Sequence, residues 1–366
     1  VAHTENSPVA AFRHALKPIY GLQWHPEVVH TRRGKEMLRS FVIDICGCRP
    51  NWEPADIIEQ SVKEIKDLVN DSRAIIALSG GVDSSVAMAL AARALGDRLF
   101  AVHVDHGFMR LNESKMLEKF FRDYGVKLIV VNAQDRFLER IKGITDPESK
   151  RKIVGEEFIR VFEAEARQAG AEYLIQGTIY PDRIESGFRR HSDKIKTHHN
   201  VGGLPMNMEF RAVIEPLRDL YKDEVRGLGE RLGLPSSIVK QQPFPGPGLA
   251  VRIIGEVTHE KLEVLRRADA IVREEVEASD IRESAWQYFA ILMDAKSTGI
   301  RGDERAYGAT AAIRIVESVD GMTASFHKAP WNVLERISTR ITNEIPEITR
   351  VVYDITHKPP ATIEWE

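Results

Sequence analysis

The chain has 366 residues, of which 43% are hydrophobic and 29% charged, with a formal net charge of -3. This length supports two or three domains with cores of their own, and the balance of charge gives no global basic field for nucleic acid. No apolar run nears the roughly 18 residues of a membrane helix, no secretory leader pattern opens the sequence, and the two cysteines, Cys46 and Cys48, are too few for a disulfide scaffold, so the expectation is a cytoplasmic enzyme.

From Val9 to Trp24 the pattern reads as two strands around a Lys17-Pro18 turn, followed by a helix from about Arg33 to Ile45. That is too little to close a core of its own. The piece ends in Cys46-Gly47-Cys48-Arg49-Pro50-Asn51-Trp52, a linker by composition. Within it stands Gly21-Leu22-Gln23-Trp24-His25-Pro26-Glu27. His25 at a strand end with Glu27 two residues on can be the base and orienter of a nucleophilic triad. On spacing alone, a surface turn with a chance histidine is the simpler reading.

From Asn51 to Gln241 helices and strands alternate. A helix over Ala55 to Leu68 leads to a short buried strand, Ala74 to Leu78, and a strongly helix-forming run begins at Val86. Between them lies the heptad SGGVDSS, Ser79 to Ser85. Gly80 and Gly81 let the backbone approach a ligand, the serines bring hydroxyls, and the N–H groups at the helix start favour an anion such as pyrophosphate. The heptad lacks the lysine of a Walker loop, GxxxxGK[ST]. In its place stands Asp83, which suits a divalent cation beside phosphates. The plainer alternative is a strand–helix turn with Gly for geometry and Ser or Asp as cap.

A strand over Leu99 to Val104 ends in Asp105-His106-Gly107. Next come a helix from Glu113 to Tyr124, a strand from Lys127 to Val131, a long helical stretch from about Glu148 to Ala169, and a strand from Tyr173 to Ile175. The last strand ends in Gln176-Gly177-Thr178-Ile179-Tyr180-Pro181-Asp182, with Glu185 three residues on. Alternation of this kind predicts an α/β fold with a doubly wound parallel sheet, whose ligands lie beyond the carboxyl ends of the strands. Asp182 and Glu185 are by themselves an ordinary acid pair at a helix start; beside the heptad they are candidates for a magnesium site. The charged, glycine-containing stretch that follows, with Lys196 and His198-His199-Asn200-Val201-Gly202-Gly203, reads as a lid or a solvated loop.

A stiff stretch, Pro243-Phe244-Pro245-Gly246-Pro247-Gly248, marks a boundary. A helix over His259 to Ala278 and two strands, Ala311 to Val316 and Arg350 to Ile355, follow. The segment Lys358-Pro359-Pro360-Ala361-Thr362-Ile363-Glu364-Trp365-Glu366 is too apolar and too stiff for a frayed end, so it is expected to be tied down.

The heptad resembles the PP-loop of the ATP pyrophosphatases, which cleave ATP between the α- and β-phosphates. With GLQWHPEVVHTRRGKEML, DPESKRKIVGEEF, LIQGTIYPDRIES, KTHHNVGGLP, PFPGPGLAVR and RVVYDITHKPPATIEWE, the chain resembles the glutamine-hydrolysing GMP synthetase family over essentially its whole length. The resemblance implies three parts. These are the end of a class I glutamine amidotransferase domain over 1–50, a PP-loop domain over 51–241, and a smaller α+β domain for dimerisation and xanthosine monophosphate (XMP) binding over 242–366. It implies an ATP site of Ser79, Gly80, Gly81, Val82, Asp83, Ser84 and Ser85, joined by Val104, Gly177, Asp182, Glu185 and Lys196. Mg²⁺ falls to Asp83 and Asp182, and the phosphate charge to Lys196. XMP falls to Arg151, Asp303, Arg350, Lys358, Thr362 and Glu364. His25 and Glu27 become the amidotransferase pair. The cysteine they would activate belongs upstream, and neither Cys46 nor Cys48 has its context. The expectation is therefore that an amino-terminal part is missing and that these residues use ammonia rather than glutamine. The expected partners are the two nucleotides and a second copy of the chain, with neither nucleic acid nor membrane. A tRNA-thiolating PP-loop enzyme would need sulfur-carrying cysteines near the loop and a basic surface, and a nucleotide-sensing scaffold would not need Asp83, Asp182, Lys196 and Lys358.

Overall fold

The computed structural model describes residues 1–27, 31–50, 54–185, 210–318 and 321–366. Contacts within the chain divide it into two compact units, Val1–Asp56 and Ile57–Glu366.

In the first unit, β1 (Ala2–Thr4), β2 (Ser7–Arg13) and β3 (Tyr20–Leu22) form an antiparallel sheet in that order. The β2–β3 pair flanks the Lys17-Pro18 turn expected from sequence; β1 was not foreseen. Helix α1 (Gly34–Arg39) continues into a π-helical turn, Ser40–Ile45.

Helix α2 (Pro54–Val69) begins just before the second unit and lies mostly within it. A five-stranded, wholly parallel sheet follows in the order β6-β5-β4-β7-β8, built from β4 (Ala74–Ala77), β5 (Leu99–Asp105), β6 (Lys127–Asn132), β7 (Tyr173–Ile175) and β8 (Ala212–Ile214). Its connections are α3 (Val82–Leu95), α4 (Glu113–Asp123), α5 (Gln134–Ile141), α6 (Pro147–Ala169) and α7 (Tyr180–Glu185), and α8 (Lys222–Arg231) and α9 (Ser236–Val239) follow β8. The chain winds outward from β4 to β5 and β6, then returns to place β7 on the other edge of β4. That reversal is the switch point at which such sheets bind ligands.

Side chains alternate across β4 as a strand requires. Ile75 enters a core with Val102, Val104, Leu174 and α6 residues Val154 and Val161, while Ala74 and Ile76 enter a second core with α2, α3 and α8. Both faces are thus covered, which is the rule for parallel sheets. Helix α3 is buried on most sides, with Val86, Ala87, Met88, Leu90 and Ala91 fully inaccessible. Its alanines let it lie close against the sheet.

Towards the carboxyl end, α10 (His259–Glu277) precedes a long hairpin of β9 (Gln287–Arg301) and β10 (Glu304–Glu317). The opposite edge of β10 carries β12 (Ile348–Tyr353), parallel, and β11 (Ser325–Phe326), antiparallel, with α11 (Trp331–Glu344) between them in sequence. The sheet is mixed, which gives the smaller α+β part. One of its faces shares the core of β4 and β5 through Leu249, Ala250 and Ile253, with α10 and α11 over it. The other face, Phe289, Ile291, Ala312 and Val316, is covered by Ile363 and Trp365 of the terminal segment.

Ile76 is 1% exposed beneath α3. Ile76→Ala is expected to destabilise the unit by about 2–5 kcal/mol through the cavity it leaves, read as a lower urea midpoint with an unchanged denaturant slope.

Candidate active site

The heptad lies at the carboxyl end of β4, at the switch point. Gly80 has φ +83°, and a side chain there would meet the Leu117 side chain at 2.4 Å, so both backbone and space require glycine. Gly81 is the N-cap of α3 and supplies no side-chain cap, so the first N–H groups of this fourteen-residue helix face the loop. The serines shape the loop from within. Ser79 Oγ lies 3.1 Å from Ser84 Oγ, and the hydroxyls of Ser84 and Ser85 donate to the Gly81 carbonyl at 3.1 and 2.9 Å. Ser85 is fully buried and holds the turn from below, whereas Ser79 and Gly81 are exposed and Ser84 is half-buried. Val82 and Val104 are buried, so their side chains serve the core.

Gly177, just beyond β7, closes the crevice. A Cβ there would stand 2.9 Å from the Asp83 carbonyl carbon and 3.0 Å from the Ser84 nitrogen. This is direct backbone approach between the loops after β4 and β7.

Asp83 is the electrostatic centre. Lys222, at the first turn of α8, donates to its Oδ2 at 2.5 Å, while Oδ1 is buried with no hydrogen-bond partner among the described residues. Burial pushes the carboxyl above its ordinary range; Lys222 and then Arg226 pull it back, and the nearby Asp182 adds to the rise. Asp182 accepts from the Ile179 N–H at 3.0 Å. The structure thus brings Asp83 and Asp182 together. Lys196 and the Glu185 side chain lie outside the described residues. Lys222 and Arg226 were not singled out from sequence, although two cations four apart place them on one face of a helix.

His106 follows β5. It is 6% exposed, packs on Phe108 and Phe137 with ring centroids 5.4 and 5.7 Å away, and accepts at Nδ1 from the Phe108 N–H at 3.0 Å. Burial lowers its pKa to about 4.

The XMP candidates fall in several places. Thr362 and Glu364 line a depression of about 520 Å³ with Tyr353, Asp354, Thr356 and Trp365. Both Glu364 carboxylate oxygens are held there by the buried Arg252, at 2.9 and 2.8 Å, and Gln287 donates to Oε1 at 3.0 Å. Lys358 donates to the Gly321 carbonyl at 2.7 Å. Arg151 donates to the Glu366 main-chain oxygen, and its neighbour Lys150, fully buried, pairs with the Glu366 carboxylate. Helix α6 therefore joins the parallel sheet to the tail. Arg350 is exposed on β12, and Asp303 is exposed at the β9–β10 tip, at the opposite end of β10 from the residues that meet the tail. The buried arginines 252 and 314, which hold the tail, carried no sequence signal that separates them from surface arginines.

In the first unit, His25 Nδ1 and Glu27 Oε1 are 2.7 Å apart and exposed. A main-chain N–H and then the His25 ring hold Glu27 below the ordinary carboxylate range. With Nδ1 carrying the proton, Nε2 is the basic atom of the ring. Cys46 and Cys48 are both exposed.

Family models match three stretches: glutamine amidotransferase class-I over 1–45, the PP-loop domain over 54–230, and the GMP synthase C terminal domain over 274–365. The GMP synthase [glutamine-hydrolyzing] of Caldicellulosiruptor saccharolyticus is 54% identical over 368 residues, covering 100% of this chain and 72% of that protein. The chain belongs to the GMP synthase family. The GMP synthase of Clostridium tetani is likewise 54% identical, with the same coverage. Among solved structures, NMN synthetase from Francisella tularensis is similar at a TM-score of 0.43 and 18% identity, covering 60% of this chain and 84% of that one. The family accounts for a mixed α/β chain in which a PP-loop sheet, a GMP synthase carboxyl-terminal sheet and an amidotransferase segment occur together.

The His106 shift sets a sign for acid stability. Unfolded, the ring titrates near 6.5; folded, near 4. Between these values the unfolded chain binds the proton and the folded chain does not, so stability falls as pH drops through that window. His106→Asn is expected to flatten this part of the curve, checked by urea midpoints at about pH 7 and pH 5.

Proposed function

We infer that this chain catalyses the ATP-dependent amination of XMP to GMP. The observation that carries this is the likeness to GMP synthases across the entire chain, set on a PP-loop at the switch point of the sheet. The C2 oxygen of XMP attacks the α-phosphorus of ATP and pyrophosphate leaves. Ammonia then adds at C2, AMP departs with that oxygen, and a proton is lost. The poor leaving group of XMP is thereby converted into a good one.

The loop from Ser79 to Ser84 holds the β- and γ-phosphates with main-chain N–H groups and the positive end of α3. Lys222 and Arg226 add positive charge beside it, and Lys196 is assigned the same task. For Mg²⁺ the residues fit. Asp83 offers a buried carboxylate oxygen without a hydrogen-bond partner among the described residues, Asp182 stands near it, and Mg²⁺ is usually held by one or two carboxylates together with substrate phosphates. When bound, the ion neutralises charge on the departing pyrophosphate. XMP is assigned to the terminal segment, with Lys358, Arg350 and Arg151 for its phosphate and Thr362 for hydrogen bonding. Glu364 contributes by fixing the segment through Arg252. The division into 1–50, 51–241 and 242–366 is the one proposed for these tasks.

Self-association through the last part is supported by a shallow apolar groove of about 400 Å³ between α11 and β12, lined by Trp331, Leu334, Val351 and Val352 among others. Trp331 there is 86% exposed, and Ile355 nearby is 64% exposed. Among the described residues no helix is long and apolar enough to cross a membrane, and two exposed free thiols suit the reducing cytoplasm.

Purified protein with ATP, Mg²⁺, XMP and ammonium is expected to release AMP and pyrophosphate in equal amounts, with GMP, only when XMP is present. Pyrophosphate release without dependence on XMP would sink the reading. Asp83→Asn is expected to lower XMP-dependent pyrophosphate release on the order of 10²-fold. The melting temperature should change little, because the amide keeps the size of the side chain and an oxygen that can accept from Lys222.

A further inference from the structure

Arg314 sits on the central strand β10, is fully buried, and turns its guanidinium onto the terminal segment. Nη1 donates to the Thr356 carbonyl at 2.7 Å, Nη2 to that of Thr362 at 3.2 Å, and Nε to that of Ile363 at 3.4 Å. Nη1 also pairs with Asp354 Oδ2 at 3.0 Å, and the same oxygen accepts from Trp365 Nε1 at 2.9 Å. One cation therefore gathers carbonyls from both ends of the stretch between Thr356 and Ile363 and draws that stretch into a loop. Lys358 and Thr362 ride on this loop. Lys358 is further fixed by a two-way main-chain bridge to Ala324, at 3.0 and 2.8 Å.

Only a forked, planar donor reaches three carbonyls and a carboxylate at once; a lysine ammonium is a point charge with different directions. With no exposed surface, Arg314 has no path to a nucleotide. Its effect on the reaction must pass through the loop it shapes. We propose that Arg314 is a positioning residue for XMP, fixing the loop that presents Lys358 and Thr362 while leaving the PP-loop untouched. This rests on the reading of the terminal segment as the XMP site.

The test compares Arg314→Lys and Arg314→Met with the unaltered full chain. The KM for XMP is expected to rise roughly tenfold or more in Arg314→Met and less in Arg314→Lys. ATP affinity, titrated without XMP, should stay within about twofold. A merely stabilising arginine would lower the melting temperature and the active fraction, seen in kcat, and leave the KM for XMP in place; that result overturns the proposal, as does an equal loss of ATP affinity. Should Arg314→Met fail to fold, Asp354→Asn removes the carboxylate that anchors Nη1 and Trp365, and the same split between XMP and ATP is expected. Lys358→Ala is measured alongside. An unchanged KM for XMP there removes the reading of the segment itself. A raised KM there, with Arg314 variants unmoved, removes only the role of Arg314.

Discussion

Strand β4 is bonded on both edges and packed on both faces, so the chain leaving it has one exit, the turn at its carboxyl end. Because β5 and β7 flank it in parallel, the loops that follow all three strands open on the same side. The turn after β4 meets the turn after β7 backbone to backbone at Gly177, and the turn after β5 begins at His106. Once the winding reverses at β4, a crevice with helix-start N–H groups at its floor follows from geometry. Asp83 then sits where one of its oxygens meets Lys222 and the other is buried without a hydrogen-bond partner among the described residues. A carboxylate left half-satisfied in low dielectric is costly unless a ligand completes it, which is what supports the proposal of a nucleotide and metal site here.

The terminal segment is built on the opposite principle. Its carboxylates, Glu364 and Glu366, are engaged by cations from within the chain. Arg252 meets Glu364 with two parallel bonds and stacks over Phe289 at 3.9 Å, and Arg314 gathers carbonyls. Buried ion pairs of this kind give little net stability, because desolvation offsets much of the attraction. Their effect here is geometric: a proline-rich stretch without regular structure acquires one conformation against the sheet, with Ile363 and Trp365 as its apolar contacts.

The parallel sheet and the heptad were legible because their signals are local. Short β-branched runs, helical alanine-rich stretches and a glycine pair at a strand end need no tertiary context. Helix α10, with Thr258 as cap, was found to within a residue for the same reason. Strand β9 was not, since Tyr288 to Met293 is a continuous apolar run that suits a buried strand or a buried helix equally. Helix α11 hides its stripe, Val333, Ile337 and Ile341, among polar residues. Within the site, Asp83 and Asp182 could be named from motif position and Lys222 could not, because its partner lies 139 residues earlier. Glu364 shows the other limit: nothing in the sequence pairs it with Arg252, 112 residues earlier, which holds both its oxygens.

The bonds from α6 to the last residue have a kinetic side. Lys150 and Arg151 meet Glu366 across sequence separations of 216 and 215. Closure over such a span is slow to nucleate and depends on everything between being in place. On a chain emerging from the ribosome, the strands and helices around the crevice after β4 are made before the terminal loop, and the core beneath β4 and β5 is completed by Leu249, Ala250 and Ile253. The loop after β4 and the terminal loop are therefore completed in a fixed order during synthesis.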